Sequence, residues 1–207
     1  MPPIPPVARA RVARRRGAVL ALLASLSVGA IRPAVAQSAP VPSAGPSLVL
    51  VVRHAEKADN SDDPVLSAAG TARAEALAEA LRDARVDHVI VTHRQRTRLT
   101  AGPVLAARGL TPEVVPFGRS MTEHVAAVAE AVRRRRGEVV LVVGHSNTVP
   151  MIVHALGGPR LPDLCDARYA ALFAVVPGAP EGGRLVVSSF GAADPPTALT
   201  CAGMVPR

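Results

Sequence analysis

From Ser47 onward, short apolar runs alternate with longer stretches in which Ala and Leu recur at helical spacing. Residues 47–52 have the length and β-branched content of a buried strand. Residues 67–85 follow with a helical pattern, and residues 86–91 read as a second strand. Residues 95–108 read as a helix stopped by Gly109. A short strand at 113–115, a helix at 121–136 closed by Gly137, a buried strand at 138–143 and a helix at 147–156 continue the alternation. Two last strands, 169–176 and 184–190, straddle a Pro/Gly-rich turn and predict a hairpin. Alternating strands and helices predict an α/β fold: a three-layer sandwich with a mostly parallel central sheet flanked by helices, with room for an antiparallel edge.

Upstream the pattern changes. Residues 1–36 set a basic stretch, Arg9 to Arg16, before an apolar run from Ala18 to Ile31 and a Pro33-Ala34-Val35-Ala36 segment. Small residues at the third and first positions before Gln37 match a signal peptidase site, so the leader reads as a secretory signal peptide. Its apolar run is short for a membrane span. An uncleaved anchor is the competing reading. Residues 37–46, rich in Pro, Ser and Ala, read as a flexible linker. The domain then occupies residues 47–190 and a C-terminal tail residues 191–207. No later run is apolar enough to span a membrane, so the expected product is periplasmic or secreted.

Composition sharpens this picture at two points. Of the net charge of +8, six units come from leader arginines with no acidic residue beside them, which leaves +2 for the rest. The chain has no Trp, one Tyr and three Phe, too few for a base-stacking platform. Together these argue against nucleic acid as a partner. The two cysteines, Cys165 and Cys201, form an even pair that reads as a disulfide in an oxidising compartment, with two unpaired thiols as the alternative. Neither has a second ligand at close spacing, so no metal site is expected.

Ligands of open α/β sheets bind beyond the carboxyl ends of the strands. Arg53-His54-Ala55-Glu56-Lys57 follows the first predicted strand, and Thr92-His93-Arg94-Gln95-Arg96-Thr97 the second. Gly144-His145-Ser146-Asn147-Thr148 follows the strand ending at Val143. Guanidinium groups recognise phosphate oxygens, and imidazole can hold a phosphoryl group covalently. The Arg-His pair, the segment from Gln95 to Ala101 and the Gly144-to-Thr148 segment together resemble the histidine phosphatase superfamily, which includes the phosphoglycerate mutases and many small phosphatases. Any one of these motifs is weakly specific. Three in order, each after a predicted strand, are strong, and the resemblance covers about 140 residues, from Leu48 to the hairpin.

The resemblance implies His54 as a phosphorylated nucleophile, Arg53 and Arg96 as phosphate-gripping residues, and His145 as the group that completes the pocket. It implies no metal and no cofactor, and a small phosphorylated substrate or exposed phosphate group. Ala55 stands where the family usually has Gly. Asn60 stands where some members place a phosphate-contacting Asn, and Ser146 adjoins the second histidine as a substrate-binding candidate. Glu123 falls where mutase-like members carry a proton donor. It would also suit the first turn of a helix, where a carboxylate favours the dipole.

Three other functions compete with a phosphomonoester hydrolase. A serine hydrolase is suggested by the near G-x-S-x-G pattern around Ser146. Thr148 replaces its second Gly, however, and the only later histidine is His154 on the same predicted helix. A non-catalytic phosphate-binding module would not need both His54 and His145. A phosphomutase fits an exported chain poorly, since its substrates are cytosolic metabolites. The leader reading has its own test: N-terminal sequencing of the exported protein is expected to begin at Gln37, whereas a retained Met1 would identify an anchor.

Overall fold

The apolar runs fold as β1 (Leu48–Arg53), β2 (His88–Val91), β3 (Glu113–Val114) and β4 (Val139–Gly144), and the hairpin as β5 (Ala171–Val175) and β6 (Leu185–Ser189). Between them lie α1 (Ala68–Ala80), α2 (Gln95–Arg108), α3 (Met121–Arg133) and α4 (Thr148–Ala155). The computed structural model describes residues 47–178 and 184–196. The expected leader, the linker and Cys201 lie outside the described residues, so the Cys165–Cys201 pairing does too.

The six strands form one sheet in the order β3-β2-β4-β1-β5-β6. Pairings among β1, β2, β3 and β4 are parallel, while β5 and β6 extend the sheet antiparallel from β1. This is the expected α/β sandwich. Side chains alternate across the strands with period two. Val49 and Val51 of β1 and Val140 and Val142 of β4 pack with Val125, Val128, Ile152 and Val153 of α3 and α4. Leu50, Val52, Leu141 and Val143 pack instead with Leu77 of α1 and Ala101 and Val104 of α2. Burial on both faces explains why β1 and β4 read as unbroken apolar runs rather than alternating ones.

Helix ends follow local chemistry. Ser67 Oγ accepts from Gly70 N to start α1, and Ser120 Oγ accepts from Glu123 N to start α3. Gly109 ends α2 in the left-handed region at φ 64°. The first predicted helix is shorter than its pattern: it stops at Ala80 and its remainder turns toward Arg85, which has φ 49°. The third stops at Arg133. Beyond it Arg134 and Arg135 reach the Glu113 carboxylate at 2.8 and 3.2 Å.

Leu77 is fully buried under the sheet, whereas Leu99 on α2 is 42% exposed. Leu77→Ala is expected to cost about 2–5 kcal/mol in urea unfolding, and Leu99→Ala no more than about 0.5 kcal/mol. Equal costs would show that the α1/α2 layer does not pack as described.

Candidate active site

Parallel register assembles the site. Val52 of β1 pairs with Val143 of β4, which pairs with Val91 of β2, so all three chains leave the sheet at one level. One residue further, Arg53 lies beside Gly144, and His54 N donates to Gly144 O at 2.9 Å. His54 and His145 therefore emerge side by side, ring centroids 5.2 Å apart in an edge-on arrangement, both buried.

The two loop motifs hold these histidines by backbone contacts. Thr148 Oγ1 accepts from His145 N at 2.9 Å, and Gly144 allows α4 to approach, since a Cβ there would lie 3.0 Å from that hydroxyl. Thr100 Oγ1 accepts from Ala55 N at 2.9 Å and donates to Arg96 O, tying α2 to the loop after β1. Thr97 Oγ1 donates to backbone carbonyls of Thr92 and Arg94. The threonines of the Gln95-to-Ala101 segment thus bond backbone groups of the strand-end segments.

Hydrogen bonding sets both tautomers. His54 Nδ1 lies 2.7 Å from Ala55 O, a carbonyl that only accepts, so the proton sits on Nδ1 and Nε2 keeps its lone pair. His145 Nδ1 lies 3.4 Å from Arg96 Nη2, a group that only donates, so its proton sits on Nε2, 3.2 Å from Thr92 Oγ1. Burial pushes His54 down to about 3, with Arg53 and Arg96 adding to the depression and the bond to Ala55 opposing it. Burial, then the neighbouring His54 and Arg96, pushes His145 down to about 2. Both imidazoles are neutral at physiological pH.

The arginines differ in how much they offer. Arg53 is buried, and its Nη1 donates to the carbonyls of Cys165, Asp166 and Arg168 at 2.8–3.3 Å. Its Nη2 donates to the Tyr169 hydroxyl at 3.3 Å, and its guanidinium carbon lies 4.1 Å from that ring's centroid. Arg96 Nη1 faces Asp63 at 3.8 Å. The Nε donors of both are buried with no partner. Arg94 and Arg135 carry buried Nε donors of the same kind, and a buried donor without a partner costs free energy.

The other sequence candidates sit differently. Asn60 is exposed and accepts from Lys57 Nζ at 3.1 Å. Ser146 is half-buried and its carbonyl accepts from Leu164 N. The Glu123 carboxylate accepts from Arg119 N at 2.9 Å in the cap of α3. His93 touches the edge of Phe117, and Phe117 in turn packs against His145 and His124. Sequence reasoning missed Phe117 and Tyr169 as walls of this cluster; the Tyr169 ring lies 6.3 Å from His54. Their rarity was the available signal, in a chain with four aromatics of these types. Among the described residues, no group of three or more His, Cys, Asp or Glu is placed to hold a metal ion, and no helix is long and apolar enough to cross a membrane.

Residues 49–117, a third of the chain, match the model of the Histidine phosphatase superfamily (branch 1). No curated protein matches the chain. Among solved structures it is similar to the protein histidine phosphatase SixA complexed with tungstate, at 19% identity and TM-score 0.54, covering 69% of this chain and 96% of that one. It is also similar to a mycobacterial glucosyl-3-phosphoglycerate phosphatase, at 17% identity and TM-score 0.53, covering 70% and 99%. A phosphoserine phosphatase from Entamoeba histolytica in complex with 3-phosphoglyceric acid matches at 12% identity and TM-score 0.50, covering 71% and 98%. The resemblance to the histidine phosphatase superfamily is shown by this match and this fold, and it supports phosphatase chemistry in general terms.

Both depressed histidines make the folded state bind fewer protons than the unfolded chain once pH falls below the ordinary imidazole value of 6.5. Their neutral state is compatible with folding above that pH, and stability drains away as pH falls toward 3. Wild-type stability between pH 6.5 and 5 is expected to fall more steeply than that of His54→Gln/His145→Gln, by about 1 kcal/mol per pH unit for each histidine. Parallel slopes in urea titrations would show that the two imidazoles are not held neutral.

Proposed function

We propose, on this likeness to the histidine phosphatases, that the chain hydrolyses phosphomonoesters through a phosphohistidine on His54, without a metal and outside the cytoplasm. The observation that carries the reading is the pair of neutral imidazoles in edge contact, flanked by two arginines whose buried Nε donors lack partners. An anion of tetrahedral oxygens is the ligand that such a cluster suits best.

In the first step the Nε2 lone pair of His54 attacks phosphorus as the bond to the leaving oxygen breaks. That oxygen keeps the bonding pair and takes a proton from water. Water then attacks phosphorus, loses a proton to solvent, and returns the P–N bonding pair to Nε2. The imidazole must be unprotonated to begin, which its depressed pKa of about 3 ensures. Arg53 and Arg96 donate to the phosphoryl oxygens through Nε. A phosphoryl dianion beside His145 opposes the depression of that imidazole, favouring a proton on it and a donor for the transferring group.

Positive charge from the two guanidinium groups supplies what a metal ion would otherwise provide. The leader-like residues 1–36 support the extracytoplasmic location. Asn60 and Ser146 are the proposed contacts to the remainder of a small phosphorylated substrate. In the free protein Glu123 serves the cap of α3, so this reading draws its leaving-group proton from water.

The test is hydrolysis of 4-nitrophenyl phosphate by the full chain in EDTA, beside His54→Ala. Turnover in EDTA is expected, with His54→Ala lower by about a thousandfold or more. Activity that survives in the variant would remove His54 as nucleophile, and activity abolished by EDTA but restored by a divalent metal would remove the metal-free route.

A further inference from the structure

Arg73 of α1 is buried, with 6% of its side chain exposed, yet it is far from both strand-end histidines in sequence and belongs to none of the motifs above. Its Nε and Nη2 donate to the Glu56 carboxylate at 2.7–3.0 Å. Glu56 lies two residues after His54. The opposite edge of the guanidinium donates to Phe190 O at 3.1 Å and Ala192 O at 2.9 Å, and Nη2 lies 4.0 Å from Asp194. One buried cation therefore joins the loop after β1 to the segment that leaves β6. A buried charge is stable only when paired in this way, so neither carboxylate is incidental.

The segment 190–194 holds the site from the other side. Asp194 accepts from Tyr169 N at 2.9 Å and from Ala170 N at 3.0 and 3.1 Å. Phe190 N donates to Ala170 O. The turn into the segment is made at Gly191, φ 67°, where a Cβ would lie 3.5 Å from Arg73 Nη1 and 3.2 Å from Ala76 Cβ. A Cβ at Gly70 would overlap the Glu56 carbonyl, so α1 is seated directly on the loop after β1. Beyond the bonds of Asp194, the Tyr169 ring lies over Arg53, and the carbonyls of residues 165, 166 and 168 fix the Arg53 Nη1 edge.

We infer that residues 190–194 are a strap, and that Asp194 and Arg73 are positioning residues for the oxyanion pocket. Asp194 holds the backbone at Tyr169, Tyr169 holds the Arg53 guanidinium, and the same Tyr169 ring lies 6.3 Å from that of His54. Arg73 locks the strap to the loop that carries His54. The inference rests on the reading of His54, Arg53 and Arg96 as a phosphoryl pocket, but its dichroism and tungstate readouts do not need turnover.

Tyr169 is the only tyrosine of a chain without tryptophan. Its near-ultraviolet circular dichroism band therefore reports the Arg53 stack with little interference. The experiment compares the full chain with Asp194→Ala and Asp194→Asn, measuring that band, far-ultraviolet dichroism, unfolding in urea and tungstate affinity. Asp194→Ala is expected to keep its secondary structure and cooperative unfolding, to lose most of the tyrosine band, and to bind tungstate about tenfold more weakly. Asp194→Asn keeps an acceptor for the Tyr169 N–H and is expected to recover most of both losses. With 4-nitrophenyl phosphate, the Ala variant should raise KM more than it lowers kcat, whereas a purely structural loss would lower kcat with the folded fraction and leave KM alone.

A wild-type tyrosine band and wild-type tungstate affinity in Asp194→Ala would overturn the strap, as would equal losses in the Ala and Asn variants. Should Asp194→Ala fail to fold, Tyr169→Leu carries the test: it removes both the ring that lies over Arg53 and the hydroxyl that accepts from it, and unchanged tungstate affinity there would overturn the proposal. A wild-type chain that binds tungstate and releases no phosphate from any ester would refute the hydrolase reading while leaving the strap result readable.

Discussion

The in-register parallel pairing of β1, β4 and β2 is the constraint on which the site depends. Backbone hydrogen bonding fixes strand spacing and level, so the three chains leave the apolar sheet together. A shift of one residue in β1 would turn Val49 and Val51 from one helix layer toward the other and carry His54 away from His145. Burial of both sheet faces makes that shift costly, because each face meets a different pair of helices. The chemistry is therefore anchored by the valines and leucines behind it.

The same apolar sheet sets the electrostatics. His54 and His145 stand at its rim, where burial disfavours the charged form, and each has the other and the arginines for neighbours. The result is two neutral imidazoles with assigned protons: His54 has Nε2 unprotonated, and His145 is bracketed between Arg96 and Thr92. Charge in this site is carried by the guanidinium groups. Under the proposed phosphoryl-transfer reading, an incoming dianion would meet donors already in place.

The two arginines are held by different means. Arg96 enters through its own helix, with Thr100 tying that helix to Ala55. Arg53 is held through a loop distant in sequence, the carbonyls of residues 165–168 and Tyr169. That loop ends in the backbone bonds of Asp194, and Asp194 belongs to a segment expected from its irregular pattern to be tail. Lack of periodicity there does not mean lack of contact. Residues 190–194 contribute carbonyls and one carboxylate, and such contacts leave no hydrophobic signature.

The alternation of apolar runs and helical stretches by itself determined the element order and the α/β class, because a two-sided core demands continuous Val and Leu in the strands. It also placed Arg53, His54, Arg96 and His145 at or shortly after strand ends, since those ends could be read from where the runs stop. Helix ends were less legible at 67–85 and 121–136: the pattern continues past Ala80 and Arg133, and turns and ion pairs beyond them decide the stop. Only the tertiary structure decided which proton each histidine carries, since that depends on Ala55 O, Arg96 and Thr92 meeting the rings in space. It alone joined Tyr169 to Arg53 across 116 positions and Arg73 to Phe190 across 117. Local patterns record which face of an element is buried. They do not record which partner the fold brings to it.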